Sequence, residues 1–146
     1  MSNRNKEISE YLESSKTVLL ATVDSDNTPN VRTLGGFGID GVTVYFSTAK
    51  ESGKVEQIEN NNSVSLLFQH ENQVIPNFVN VEVKGIAEEL KCKEKFEEGF
   101  KYILKRKPQS KVTKETHNIY KVVAKEIKVL DFSKEKAEEK IEKIKF

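Results

Sequence analysis

Short segments rich in β-branched and aromatic residues recur along the chain, and turn-forming residues lie between most of them. Residues of the first kind favour extended strands, whereas Gly, Pro, Asn and Asp favour turns. Regular strands with turns between them are typical of an antiparallel sheet that closes into a barrel. The sequence therefore predicts a mainly β fold, a six-stranded antiparallel β-barrel with flanking helices, with strands at residues 17–23, 31–37, 42–47, 63–69, 78–90 and 118–130.

Two turn sequences predict which strands pair. Residues 24–29 read DSDNTP, so the first two strands should form a hairpin. The dipeptide Asp40-Gly41 is a strong hairpin signal, so the strand that contains Arg32 should also pair with residues 42–47. Valines alternate with polar residues from position 79 to 83, and the valine side should face the core.

Four segments have the apolar spacing of helices. The first covers residues 5–15, within an N-terminal helical region that we place at residues 1–16. The last covers residues 133–146, where Ser133 would cap a C-terminal helix with a narrow apolar stripe. The two internal helices are predicted at residues 52–60 and 92–106.

Length and composition narrow the class of protein. We expect one domain over residues 1–146, which is a typical domain size. The formal net charge is only +1, which argues against a nucleic-acid-binding barrel. Cys92 is the sole cysteine, and no apolar run resembles a signal peptide or a membrane span, so we expect a cytoplasmic protein that does not bind membranes. His70 and His117 lack ligand neighbours at useful spacing, so no metal site is expected.

Hydrogen-bond donors are concentrated between Arg32 and Lys54. Arg offers a planar fork to two phosphate oxygens, Lys adds a mobile charge, and a helix N-terminus adds free N–H groups. Such residues could meet where the strands end and the helix begins, which would form an anion site. The alternative is a solvated Arg on an edge strand, a Thr at a strand end and a Lys on a helix face.

Three stretches carry a family resemblance: TVLLATVDSDNTPNVRTL, VTVYFSTAKESGKVEQIENNNSVSLLF and VNVEVKGIAEEL. Together they resemble the FMN-binding split barrel of the pyridoxamine 5′-phosphate oxidase-like superfamily, so the resemblance implies a split barrel. It also implies that Arg32 and Lys54 hold the FMN phosphate and that Ser52 caps the helix. The full set of cofactor-binding residues that it implies is Arg32, Thr33, Leu34, Ser47, Thr48, Ser52, Gly53, Lys54 and Asn80.

In this set, Thr33 and Leu34 would run along the flavin ring and offer it backbone groups. Ser47 and Thr48 would supply hydroxyl or amide donors, and Asn80 would lie near the flavin. Members of the superfamily are usually homodimers with the flavin at the subunit interface, and we expect the same here.

The resemblance implies an FMN-dependent oxidoreductase that acts on an unknown small molecule, with no catalytic side chain identified. True pyridoxamine phosphate oxidases end with an Arg-x-His pair that this chain lacks, so vitamin B6 oxidation is not expected. The alternative function is a non-enzymatic flavin-binding, redox-sensing or storage protein. A deazaflavin or haem could replace FMN, since relatives vary in this way.

Overall fold

An antiparallel sheet of eight strands forms the body of the protein in a computed structural model that describes residues 2–146. The order across the sheet is β2-β1-β5-β6-β7-β4-β3, and β8 pairs with β7 off this path. In chain order the elements are α1 (Asn3–Ser14), β1 (Val18–Val23), β2 (Pro29–Thr33), β3 (Gly36–Asp40), β4 (Thr43–Ala49), α2 (Gly53–Asn60), β5 (Ser63–Gln69), β6 (Val79–Glu89), α3 (Lys93–Arg106), β7 (His117–Asp131), a 3₁₀ turn (Ala137–Glu139) and β8 (Ile141–Lys145).

The two longest strands, β6 and β7, shape the barrel. They pair along their full lengths, with an irregularity between Lys84 and Gly85 that interrupts the ladder. On its other edge, β7 pairs with β4 in its first half and with β8 in its second half. A bulge bends a strand and increases its twist, which lets the sheet curl. The predicted mainly β split barrel with flanking helices is confirmed, but it has eight strands and not the six predicted.

Side-chain alternation separates an inner from an outer face of the sheet. Leu20, Phe46, Phe68, Val83 and Ile127 are fully buried and fill the interior. Ile8 and Leu12 of α1 join this core, and α3 covers the outside of β3 and β4 with a second apolar cluster. The predicted valine side of β6 therefore does face the core. None of the helices in residues 2–146 combines the length and apolar character needed to cross a bilayer.

Both predicted hairpins are present. The β1–β2 turn is held by Asp24, whose carboxylate accepts from the backbone N–H groups of Asp26 and Thr28 at 2.9 and 3.0 Å. The β3–β4 turn places Gly41 at φ 63°, a left-handed conformation that Gly adopts without a steric penalty. The turn residues thus specify the local pairing.

The prediction of one strand over residues 31–37 is wrong in one respect. The segment forms the end of β2 and the start of β3, which lie at opposite ends of the strand order. Residues 34–35 carry the chain from β2 to β3. Leu34 still donates its N–H to the Val18 carbonyl at 3.0 Å, and its side chain is buried in the core. Arg32 therefore lies on a strand that pairs with β1, and β3 alone pairs with β4.

The predicted C-terminal helix over residues 133–146 is also wrong. Ser133 caps no helix; instead its N–H and hydroxyl both donate to Asp131. Residues 141–145 form β8 on the free edge of β7, with Ile144 opposite Ile127 and Ile141 opposite Leu130. A spacing of three puts two residues on one helix face but on opposite faces of a strand, and the strand lets Ile144 pack on the core.

Gly38 gives a sharp test of how α3 packs on β3. A Cβ at this position would lie 2.3 Å from the carbonyl carbon of Tyr102 and 2.5 Å from its oxygen, in the backbone of α3. Overpacking a tight contact typically costs roughly 1–3 kcal/mol. We therefore expect Gly38→Ala to lower the free energy of unfolding by at least this amount in urea denaturation.

Gly35 is the matched control for this substitution. A Cβ at Gly35 would meet no heavy atom within 4 Å, so Gly35→Ala should leave the unfolding free energy nearly unchanged. Equal effects of the two substitutions would contradict the close approach of α3 to β3.

Candidate functional site

The start of α2 brings Lys54 to one end of the barrel. Ser52 caps the helix by accepting from the Lys54 N–H at 3.4 Å, and the Lys54 ammonium also donates to the Ser52 hydroxyl at 3.0 Å. Val55 and Ile58 bury one face of the helix. Lys54 and Gln57 are three residues apart, so they lie near each other along the helix surface.

Arg32 reaches this helix from β2. Its register partner on β1 is Leu20, which faces the core, so Arg32 is on the inner face of the sheet. One terminal nitrogen, Nη1, donates to the Thr22 hydroxyl at 2.6 Å and to the Leu20 carbonyl at 3.3 Å. The other, Nη2, donates to Gln57 Oε1 at 2.8 Å, and the Thr22 hydroxyl donates to the same oxygen at 2.5 Å.

These bonds leave a defined set of unused donors. A guanidinium has five N–H groups. On Arg32 the two of Nη1 are shared among Thr22 and the Leu20 and Asn30 carbonyls, and one of Nη2 is bonded to Gln57. The Nε–H and one Nη2–H remain. Two such groups on one edge of the fork match two oxygens of a carboxylate or a phosphate.

The charges of the cluster also favour an anionic ligand. Burial lowers the pKa of Arg32, and the pKa of Lys54 is lowered by burial first and by the Arg32 charge second. Within residues 2–146, neither cation forms an ion pair with a carboxylate. The nearby acceptor oxygens of Thr22, Gln57 and Ser52 are already bonded to donors of the cluster. Two positive charges and spare donors without spare acceptors suit an anionic ligand. We call Arg32, Lys54, Ser52, Thr22 and Gln57 the cation pocket.

Two of the predicted cofactor-binding residues, Ser47 and Thr48, lie on β4. Ser47 and Thr48 are both buried but point to opposite faces of β4, because side chains alternate along a strand. Ser47 lies beside Gly36, whereas Thr48 is the register partner of Asn118. Their hydroxyls therefore cannot both face one ligand. Gly53 is exposed at the first position of α2, where its N–H has no acceptor within the helix.

Three predicted residues are not brought together with the pocket. Thr33 is exposed on the outer face of β2. Leu34 is buried in the core, and its N–H is already bonded to Val18. Asn80 is on the outer face of β6, where its amide donates to Gln69 at 3.3 Å. The structure thus places Arg32, Ser52 and Lys54 together and directs the side chains of Thr33, Leu34 and Asn80 elsewhere. The expected backbone contacts of Thr33 and Leu34 with a flavin ring stay a prediction.

Comparison with known families shows which family the chain belongs to. The sequence profile described as pyridoxamine 5′-phosphate oxidase matches residues 5–131. The chain belongs to the pyridoxamine 5′-phosphate oxidase family. The matched region contains β1 to β7 and every residue of the cation pocket. A search of curated proteins gave no match.

Solved structures share the fold of this family member. A candidate pyridoxamine 5′-phosphate oxidase from Listeria innocua is 25% identical, with a TM-score of 0.71 over 88% of this chain and 99% of that chain. A Clostridium acetobutylicum protein related to general stress protein 26 is 20% identical, with a TM-score of 0.72 over 100% and 97%. A heme binding protein from Mycobacterium smegmatis is 12% identical, with a TM-score of 0.76 over 99% and 59%.

Sequence reasoning missed Thr22 and Gln57 as members of the pocket. Thr22 is the one polar residue among the inward positions of β1, where Val18 and Leu20 are the others. Gln57 follows Lys54 by three positions in a predicted helix. Both signals were present in the sequence, but only the packing of α2 against β1 shows that they meet Arg32.

A second concave surface lies on the outside of the sheet. It is a groove of about 350 Å³ lined by the aliphatic side chains Leu19, Ala21, Val31, Leu67 and Leu130 and by the polar side chains Ser65, Asn80, Glu82 and Lys128. Burial alone would raise the pKa of Glu82, but a hydrogen bond from Ser65 and the Lys128 ammonium at 3.2 Å outweigh burial and lower it. Glu82 and Lys128 therefore form an ion pair within the otherwise aliphatic surface of the outer groove.

Proposed function

We propose that this member of the pyridoxamine 5′-phosphate oxidase family binds FMN and acts as an FMN-dependent oxidoreductase on a small molecule. The observation that carries the proposal is the cation pocket, in which Arg32 and Lys54 share a partly buried corner and form no ion pair with a carboxylate of the described residues 2–146. A phosphate dianion would neutralise both charges and accept from their spare N–H groups. Family membership supports the same ligand class.

The two cations of the pocket and the start of α2 would each bind the phosphate in a different way. Arg32 would meet two phosphate oxygens with its free edge, and Lys54 would add a second charge. The first N–H groups of α2, beginning at Gly53, would complete the site at the positive end of the helix dipole. When bound, the flavin would supply the hydride or electron chemistry, and the protein would supply position and electrostatics.

We further propose that the protein is a homodimer with the flavin at the subunit interface. Val31 is 64% exposed and Ile141 is 49% exposed, and both lie on the outer face of the sheet. Together with the outer groove they form an aliphatic surface of the kind that marks an interface. Strand β2 carries Arg32 on its inner face and Val31 on its outer face, so one strand borders both the pocket and this surface.

Haem is the second ligand to consider, because a structural neighbour is a heme binding protein. Haem propionates are anions and could also suit the cation pocket. His70 is a poor axial ligand, since its ring stacks on Tyr11 at 3.7 Å and its Nε2 lies 3.0 Å from the Tyr11 carbonyl oxygen. The visible spectrum of purified protein distinguishes haem, flavin and deazaflavin.

A flavin that no nicotinamide cofactor or cellular reductant can reduce would favour the alternative of a redox sensor or store.

Loss of the guanidinium tests the FMN site directly. We expect Arg32→Ala to weaken FMN binding by roughly 1–3 kcal/mol, the range of hydrogen bonds to a charged group. The measurement is a fluorescence titration of apoprotein with FMN. Lys111→Ala, which removes an exposed lysine outside the pocket, should leave the affinity unchanged. An unchanged affinity in Arg32→Ala would contradict the proposal.

The pH dependence of FMN binding should show the two ionisations that the pocket requires. A phosphate monoester loses its second proton near pH ~6, so affinity should rise through that range. Affinity should fall again at alkaline pH as Lys54 loses its proton, and this fall should begin below the ordinary lysine range because the pKa of Lys54 is lowered by burial and by Arg32.

The Lys54→Arg variant is the control for this profile. Because an arginine stays protonated in proteins, the alkaline fall attributed to position 54 should disappear. Riboflavin, which has no phosphate, should show neither the rise near pH ~6 nor a fall that depends on Lys54, and its titration corrects for ionisation of the ring. A profile that is the same for wild type and Lys54→Arg would rule out a role for the Lys54 charge.

The dimer has its own test. We expect wild-type protein to sediment as a dimer and Val31→Lys to shift it to monomer, because a charge would be buried at the interface. Val31 is 64% exposed in the single chain, so its replacement should cost the fold little. Gln109→Lys, at an exposed loop position, should remain dimeric. A monomeric wild-type protein would contradict this part of the proposal.

A further inference from the structure

Gln57 joins helix α2, which carries Lys54, to Arg32 and Thr22 of the sheet. Its Oε1 accepts from Arg32 Nη2 at 2.8 Å and from the Thr22 hydroxyl at 2.5 Å. Thr22 in turn accepts from Arg32 Nη1 at 2.6 Å. One amide oxygen on α2 therefore closes a ring of hydrogen bonds with β1 and β2, and this ring occupies the outer end of the guanidinium.

This ring opposes two effects that would move Arg32 away. A free arginine side chain has several rotatable bonds, and fixing it costs rotamer entropy. Lys54 also repels the guanidinium, as the lowered pKa of the lysine shows. Without Gln57 and Thr22, the guanidinium keeps only the longer bonds to the Leu20 and Asn30 carbonyls, at 3.3 and 3.4 Å. These hold it less firmly, so a ligand would have to order it on binding.

The neutrality of Gln57 matters as much as its shape. The helix reads Val55-Glu56-Gln57-Ile58-Glu59, so both polar neighbours are carboxylates and the position that meets Arg32 is an amide. A carboxylate there would hold the guanidinium at least as firmly, but it would cancel the charge that a phosphate needs. An amide holds the fork and leaves the site at two positive charges.

We infer that Gln57 is a positioning residue that sets which edge of Arg32 faces the ligand and keeps the site selective for a phosphate ester over the same molecule without the phosphate. The inference rests on the proposed FMN site and deepens it. It assigns phosphate recognition to a side chain that needs no direct contact with the phosphate.

The experiment compares FMN with riboflavin, which differ only by the phosphate. Dissociation constants for both are measured with wild type, Gln57→Met and Gln57→Glu, alongside thermal unfolding of each apoprotein. Gln57→Met should weaken FMN binding about tenfold, the scale of one charged hydrogen bond, and change riboflavin binding by less than about twofold. Gln109→Met is the matched control and should change neither constant, because Gln109 is exposed in a loop.

The Gln57→Glu variant separates positioning from folding. It keeps an oxygen for Arg32 and Thr22 and adds a charge, so the apoprotein should unfold at the same temperature as wild type or higher. FMN binding should nevertheless weaken at least as much as in Gln57→Met. A merely structural glutamine would instead give FMN binding that follows the unfolding temperature, or equal losses for FMN and riboflavin, and either result overturns the inference.

The failure of this inference differs from failure of the FMN site itself. If Arg32→Ala weakens FMN binding and neither Gln57 variant does, the site stands and the positioning role is wrong. If Arg32→Ala has no effect, the FMN site and the role of Gln57 fall together. In the Arg32→Ala background, Gln57→Met should no longer change the ratio of the FMN and riboflavin constants, because coupled residues are not additive.

Discussion

The repulsion between Arg32 and Lys54 is the interaction that the functional region of this protein depends on. Both side chains are partly buried, burial lowers the pKa of each, and the Arg32 charge lowers that of Lys54 further. A buried charge without a partner is unfavourable, so the unliganded fold must hold this pair with other interactions. The neutral oxygens of Thr22, Gln57 and the Leu20 backbone accept hydrogen bonds from the guanidinium and hold it in place. They stabilise the guanidinium without removing the charge.

The barrel architecture allows this arrangement because the pocket is assembled from elements anchored elsewhere. The β1–β2 hairpin is fixed by its Asp24 turn and by the pairing of β1 with β5. Helix α2 is fixed by Val55 and Ile58, which are buried on the face away from the solvent. The unfavourable charge pair thus lies between two elements whose positions are determined by packing and turn chemistry. Proteins commonly accept such local cost at functional sites.

Local signals in the sequence predict much of the fold. The strand-rich segments, both hairpin turns and the inward valines of β6 follow from periodicity and turn chemistry, and the family resemblance adds the cap of α2 by Ser52. The long-range features do not. The division of residues 31–37 between β2 and β3 depends on Leu34 entering the core, and β8 forms because β7 has a free edge. A single segment of sequence shows neither the place in the core that Leu34 occupies nor the free edge of β7.

The same distinction applies to the site. Arg32, Ser52 and Lys54 meet as the sequence analysis expected, but by another route, since β2 pairs with β1 and α2 packs on β1. Sequence reasoning missed Thr22 and Gln57 because a single neutral polar residue is a weak indication of a site. Their role is seen only in the structure, where they share a hydrogen-bond network with the Arg32 guanidinium. Asn80, which the resemblance implies lies near the flavin, is on the outer face of β6, and its role stays a prediction.

Because β2 is at the end of the strand order and separates the pocket from the outer groove, Asn80 and the pocket could act on one ligand only if that ligand passed this strand. A ring-bearing phosphate ester has a second part that could lie in the groove, whereas inorganic phosphate has none. A family fold can host several chemistries. The position of a charged pocket and an aliphatic groove on opposite faces of one edge strand therefore constrains the ligand more closely than the barrel itself does.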